Sequence, residues 1–371
     1  MQKAAVAPLV LVILAALFTA NTPLIGAESE NSWTAKAPMP TPRAGFGMAV
    51  VNGKIYAMGG YDKSQTYFLT VNEEYDPATN TWTDKAPMLT ARVSFATAVF
   101  DNKIYTFGGQ VLDEDGNRIV INTTEVYDPA TDTWTAKAAL PKPAEDFGAA
   151  VVEGKIYVIG TDTDVYDPVT DTWASGAPIP KAIAHSAYAV LDNKIYVISG
   201  NYHGDNPDFY EPIDLNQIYD SQTDTWRQGA PIPTSVASAA AVATTGVDAP
   251  KAIYVVGGLV VTVNATGGYV FNPQDLVQVY FPENDSWREG APMPTARYAL
   301  SVAALDDAVY ALGGSNSIVP PDSTDNEQYA PFGYEAPATQ AVPLDLVLGI
   351  VALVIATMAV AVLYALRKRH I

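Results

Sequence analysis

The chain reads as all-β: six four-stranded antiparallel sheets packed radially into a closed ring, with one apolar helix after them. Three observations lead there. A turn ending in Trp recurs five times, as YDPATNTW (75–82), YDPATDTW (127–134), YDPVTDTW (166–173), YDSQTDTW (219–226) and YFPENDSW (280–287). Alternating apolar segments broken by a tight turn run beside it, such as AVVNGKIYAMGG (49–60), AVFDNKIYTFGG (98–109) and AALDDAVYALGG (303–314). The six Trp, at 33, 82, 134, 173, 226 and 287, are separated by 49, 52, 39, 53 and 61 residues. A fixed period of this size marks an array whose units bury their faces only against one another.

Composition agrees and excludes several functions. Apolar residues make up 49% of the 371, enough for a core, and charged residues only 16%, too few for a disordered polyelectrolyte. Acids outnumber bases 40 to 21, a net charge of −19. Nucleic acid, which is bound by neutralising phosphates, is not an expected partner. With no cysteine there are no disulfides, thiolate zinc sites or cysteine nucleophiles.

From the N-terminus, Lys3 followed by an apolar run to Phe18, then small residues at Ala20 and Ala27, has the layout of a signal peptide over 1–27. The repeats occupy 28–331. NGK, DNK and EGK are hairpin turns between strands a and b, and Asp-Pro-x-Thr-Asx turns join strands c and d. The last repeat supplies strands a, b and c but no Trp-bearing fourth strand, while SWTAKAPMP (32–40) is a fourth strand with no repeat before it. The N-terminal strand should therefore close the ring. A Pro/Ala-rich linker follows (332–344), then an uncharged stretch from Leu346 to Leu366 within a predicted helix at 345–366, then the basic tail 367–371. That stretch is long enough to span a bilayer and is followed by Arg367, Lys368 and Arg369. A single-pass type I protein of the cell membrane is expected, with its repeats outside and its C-terminus cytoplasmic. Without Lys3, Asp345 and the three tail bases the outer part holds 17 bases and 39 acids, a charge of −22.

Trp, Tyr and paired Gly at these offsets resemble the Kelch repeat, over about residues 31–331. The resemblance implies a six-bladed β-propeller. In such blades the a–b and c–d turns share one face, and the b–c loops and d–a links share the other. The long stretches 61–70, 110–122, 201–215, 259–275 and 315–325 are b–c loops, which makes theirs the expected binding face. In Kelch adaptor domains an arginine in the d–a link often faces the channel mouth and binds acidic side chains. Here Arg43, Arg92 and Arg297 hold that position, with Glu145, Asp146 and His185 in the other links. Three clustered guanidinium groups would suit a carboxylate or phosphate; the alternative is that each ties its own link to a carbonyl. Tyr61, Tyr202 and His203 of the loops complete the candidate ligand-binding set. Asn122, Asn264 and Asn284 fit the glycosylation pattern. LDEDGN (112–117) is a hairpin turn rather than a calcium loop. The expected function is binding of a protein or glycan, with no metal or cofactor and no catalytic residue. The alternative is a periplasmic-type sugar-acid epimerase or mutarotase, or another carbohydrate-active enzyme of the Kelch class, with Arg43 or Arg297 near Glu145 as the carboxylate base.

Overall fold

The computed structural model describes residues 29–65, 67–202, 212–264, 268–317 and 322–337. The first strand, β1 (Ser32–Ala35), belongs to the last sheet. Blade 1 is β2 (Gly47–Val51), β3 (Lys54–Met58), β4 (Asn72–Asp76) and β5 (Thr81–Lys85). Blade 2 is β6 (Ala96–Phe100), β7 (Lys103–Phe107), β10 (Thr124–Asp128) and β11 (Thr133–Lys137), with β8 (Gln110–Leu112) and β9 (Arg118–Val120) as a separate ribbon. Blade 3 is β12 (Gly148–Val152), β13 (Lys155–Ile159), β14 (Thr163–Asp167) and β15 (Thr172–Ser175). Blade 4 is β16 (Ala187–Leu191), β17 (Lys194–Ile198), β18 (Asn216–Asp220) and β19 (Thr225–Gln228). Blade 5 is β20 (Ala240–Ala243), β21 (Ile253–Val256), β24 (Val277–Phe281) and β25 (Ser286–Glu289), with the ribbon β22 (Leu259–Val263) and β23 (Tyr269–Pro273). Blade 6 is β26 (Ser301–Leu305), β27 (Ala308–Leu312), β28 (Asn326–Ala330) and β1.

The inner strands touch in the order β2, β6, β12, β16, β20, β26 and back to β2, which closes a six-membered ring around a channel. Closure is made as the sequence implies, with Trp33 of β1 opposite Tyr329 of β28. The hairpin turns are left-handed at both central residues, for example Asn52 (φ 51°) with Gly53 (φ 72°), and Asp101 (φ 50°) with Asn102 (φ 55°). That twist suits two-residue loops between right-twisted strands.

The core is divided among the six blade interfaces. Ile195, Val197 and Tyr219 of blade 4 pack on Ala150 and Val152 of blade 3, while Ile253, Val255 and Tyr280 of blade 5 pack on Ile198 and Ile218 of blade 4. One clasp recurs at every interface. An alanine leaving each outer strand gives its N–H to an Asx side chain of the next blade and its C=O to the next blade's Trp Nε1. Ala37 does so with Asn80 (2.7 Å) and Trp82 (2.9 Å), Ala86 with Asp132 (2.8 Å) and Trp134 (2.8 Å), and Ala291 with Asn31 (2.6 Å) and Trp33 (2.9 Å). The same Asx oxygen also accepts a buried Tyr hydroxyl, as from Tyr127 to Asp132 at 2.6 Å. The Trp positions are thus structural.

Two differences from the sequence reading appear. The b–c stretches of blades 2 and 5 are not irregular, because QVL pairs with RIV and LVVTV with YVFNP as ribbons around local turns. The packed domain also runs past 331. Phe332 is buried beneath the Arg288 guanidinium (3.6 Å), and the Glu335 N–H bonds Asp248 O (2.7 Å), so the first residues read as linker are docked. The segments read as a signal peptide (1–27) and as a membrane-spanning helix (345–366) lie outside the described residues. Among those described, no helix is long and apolar enough to cross a membrane.

Candidate functional site

The three link arginines are not at the surface. Arg43, Arg92 and Arg297 have no exposed area, and each pairs with a glutamate on strand c of its own blade. Arg43 Nη2 lies 2.6 Å from Glu73 Oε2, and its Nη1 donates to Gly59 O and Val71 O, both at 3.1 Å. Arg92 repeats this with Glu125, Gly108 O (3.0 Å) and Thr123 O (3.1 Å). Arg297 does so with Glu327 (2.5 Å), Gly313 O (2.8 Å) and Asp325 O (3.5 Å). A guanidinium already enclosed by a carboxylate and carbonyls has no fork left for a ligand. As ligand-binding residues these three are corrected: each ties its own b–c loop to its link. The pairing of Arg43 or Arg297 with a Glu145 base, which the enzymatic alternative asks for, is not assembled either, because Arg43 and Arg297 are paired with Glu73 and Glu327.

The sequence carries a signal for this. Blades with Arg carry Glu73, Glu125 or Glu327 two residues before the strand-c Tyr, whereas blades 4 and 5, with Ile183 and Val236, carry Gln217 and Gln278 there. Those amides bond the link backbone instead, Gln217 to Lys181 N and O (3.0 and 2.9 Å) and Gln278 to Thr234 N and O (2.8 and 2.9 Å).

The channel mouth is formed by Gly45, Ser94, Asp146, His185, Ser238 and Ala299, one per blade and all with positive φ. Backbone bonds pass from blade to blade around it: Gly45 N to Ala299 O, Ser94 N to Gly45 O, Asp146 N to Ser94 O, Ser238 N to His185 O and Ala299 N to Ser238 O, at 2.8–3.2 Å. Between blades 3 and 4 the contact is instead between side chains, with His185 Nε2 3.3 Å from Asp146 Oδ2. A cavity of about 150 Å³ opens here, lined by Ser94, Asp146, His185, Ser186 and Ser238. Behind it the channel holds about 290 Å³. It is narrowed by Tyr188, whose ring lies so close to Gly148 that a Cβ there would meet it at 2.1 Å. Glu145 accepts from Gln110 of β8, and burial, with Asp146 beside it, pushes its carboxyl above the usual range. The mouth therefore lacks the guanidinium groups expected on one side of it, and its ionisable side chains include Asp146, Glu145 and the His185 imidazole.

Of the loop aromatics, Tyr61 is held edge-on to Phe68 (5.8 Å) beneath the Arg118 guanidinium. Tyr202 is 40% exposed under the Lys181 ammonium (4.0 Å). His203 lies outside the described residues. Asn264 is exposed at the end of β22 and Asn284 in a c–d turn, whereas the Asn122 amide is half-buried and donates to Leu140 O (3.1 Å). The Asp115–Gly116 turn is a hairpin, with Asp113 accepting the Asp115 and Asn117 N–H groups. Among the described residues no cluster of His or acids has the arrangement of a metal site.

Sequence reasoning missed the exposed apolar surface. Among the described residues the exposed large apolar side chains are Tyr67, Leu89, Ile119, Val120, Val169, Tyr202, Val247, Tyr269, Val270 and Phe271. All except Val169 and Val247 stand on b–c loops, ribbons or d–a links, hence on one face. Beside the blade 5 ribbon lies a groove of about 380 Å³ walled by Tyr269, Phe271, Pro273 and Tyr298.

Comparison with known proteins agrees with this architecture. The KLHDC2/KLHL20/DRC7 Kelch-repeats domain matches residues 27–176. Kelch-like protein 23 of Homo sapiens is 32% identical over 120 residues, covering 32% of this chain and 19% of its own. Kelch-like protein 7 of Gallus gallus is 48% identical over 131 residues, covering 35% and 22%. The matched part thus spans about a fifth of those relatives' length. The solved structure described as "Structure of YjhT" superposes with a TM-score of 0.68 at 17% identity, covering 79% of this chain and 96% of that one, a likeness of fold alone. The six repeated blades, with their recurring Tyr, Trp and Gly-Gly positions, and the match over 27–176 make the chain similar to Kelch-repeat β-propellers.

Proposed function

We propose that the propeller is an interaction module that docks a protein through the face bearing its b–c loops, and that the segment 346–366 holds it outside a cell membrane. The observation that carries the docking reading is the gathering of exposed apolar residues on that one face. The opposite face offers Val169 and Val247 among short, repeated turns. Docking surfaces combine apolar anchors with a polar rim, and β8–β9 with β22–β23 stand on blades 2 and 5, opposite each other across a six-membered ring. The protein reading has more support than a glycan one or sugar-acid turnover, because the exposed groups include aliphatic Ile119, Val120 and Val270 and the arginines are occupied.

The test is cross-linking capture from cells carrying the full chain. Val120→Asp with Phe271→Asp should lose the captured protein while retaining the wild-type melting temperature. Val169→Asp with Val247→Asp on the other face should keep it. Capture unaffected by the first pair would rule out this face. For the anchor, the full chain should stay with membranes in alkaline carbonate and a chain ending at 337 should be released; release of both would end the membrane reading.

A further inference from the structure

The four link positions at Arg43, Arg92, Arg297 and Ala144 are equivalent: each stands 16 residues before the glycine ending strand b, at Gly59, Gly108, Gly313 and Gly160. In three of them the guanidinium fills a cradle made of that glycine's carbonyl, a carbonyl two residues before the acid, and the acid on strand c. Blades 4 and 5 discard the device consistently, filling the slot with Ile183 (5% exposed) or Val236 (1%) and replacing the acid by a neutral Gln. Blade 3 does neither. It keeps the acid, Asp164, but sets Ala144 where the arginine would be.

The consequence is a cavity of about 60 Å³ lined by Leu140, Ala144, Phe147, Gly160, Asp162 and Asp164. That is several times the room one water needs. The Gly160 and Asp162 carbonyls are the counterparts of those of Gly59 and Val71, which accept from Arg43, as a shared bond shows: Gly160 N donates to Asp162 O (3.0 Å) as Gly59 N does to Val71 O (2.9 Å). The b–c connection of this blade is only Gly160 to Asp162, so no loop covers the opening, which lies on the docking face. Lys142 also lines the opening, but its ammonium is 73% exposed and paired with Asp162 (2.9 Å) rather than seated in the arginine's place. Burial, with Asp162 nearby, pushes the Asp164 carboxyl above its usual range, and the exposed Lys142 offsets this only in part.

We propose that the blade 3 pocket is a receptor for an alkylguanidinium, the arginine side chain of a docked partner, which takes the place that the molecule's own arginines take in blades 1, 2 and 6. The partner's identity as a protein rests on the docking reading above; the pocket's chemistry does not. A planar fork able to meet a carboxylate and two carbonyls together distinguishes guanidinium from an ammonium.

The test is calorimetric titration of the detergent-solubilised full chain with N-acetyl-arginine methylamide, and with the lysine analogue as control. The arginine probe should bind with a Kd on the order of millimolar, as expected for one small group, and the lysine probe about tenfold more weakly or worse. Asp164→Asn, neutral like the Gln of blades 4 and 5, should abolish the difference. Ala144→Arg with Asp164→Glu rebuilds the internal pair and should block the probe while raising the melting temperature. Equal binding of both probes, or arginine binding untouched by Asp164→Asn, would mean attraction to an acidic surface and overturn the pocket. Because the probe is small, its binding is read separately from docking. Capture lost in the Val120 and Phe271 variants with probe binding intact supports the pocket, and a probe that does not bind overturns it whatever docking does.

Discussion

Arg43, Arg92 and Arg297 each hold a charge with no exposed area, a cost offset by the carboxylate and carbonyls that meet the Nη groups. Removing one partner strands the other. Arg92→Ala is expected to destabilise by about 3–5 kcal/mol in urea unfolding, because Glu125 is left buried and unpaired. Arg92→Val with Glu125→Gln copies blade 5 and should cost far less; an equal loss would mean the charge pair is not what matters there. The clasp aspartates make a second residue-scale prediction. Asp132, Asp171 and Asp224 are held below the usual carboxylate range first by their Tyr hydroxyls and then by an alanine N–H, and Asp285 by the same two in reverse order. A depressed folded pKa contributes stability that is full above the unfolded value, near 3.9, and is lost as pH falls through the folded value. Thermal stability should therefore fall on acidification below about pH 4. Blades 1 and 6 use Asn80 and Asn31 in the same bonds, so Asp→Asn at all four sites should keep the clasp and flatten that limb. An unchanged acid limb would assign it to other carboxylates.

At the scale of elements, the closing strand matters most. β1 covers the edge of β28 and brings Trp33 onto Tyr329 (ring centroids 5.0 Å) and Ala291 O. Blades 1 and 6 meet a second time through Lys63, whose ammonium reaches Tyr298 Oη (3.1 Å), Ser317 O (2.6 Å) and Asp322 (3.3 Å). Trp33→Ala, half-buried, should cost roughly half the 3–5 kcal/mol of a fully buried tryptophan. A propeller lacking 29–40 should expose an unpaired edge and aggregate, and adding that peptide should restore solubility, checked by light scattering. Solubility without the peptide would show that Lys63 and its neighbours suffice. Strands a to d and their turns were legible in the sequence because each repeats a local pattern. The ribbons β8–β9 and β22–β23 were not read as strands because each occurs once, with no second copy to reveal its register.

At the scale of the molecule, six interblade cores close on themselves, so removing one blade exposes two faces. Unfolding of the described domain should accordingly follow one transition by fluorescence and by circular dichroism, and two separated transitions would show blades melting in groups. The ring also sorts its surface. Short repeated turns fill one face, while loops, links and ribbons bring the exposed apolar residues to the other, around a mouth that carries the Glu145, Asp146 and His185 side chains.

The sequence by itself determined the repeat, the number of blades, the strand order within each and the closure by the N-terminal strand. All of these follow from periodic apolar positions and turn residues that act over a few neighbours. It could not determine what the link arginines face. Arg43 and Glu73 are 30 residues apart, and Arg92 and Glu125 are 33, so whether each guanidinium points to solvent or inward depends on carbonyls that only the folded b–c junction brings together. Tertiary structure decided that those charges are spent internally, that Asp164 is left without its arginine beside Ala144, and that the scattered Val120, Tyr202 and Phe271 share a face. Burial and pairing are properties of the closed ring, set by contacts between segments that carry no mark of one another in the chain.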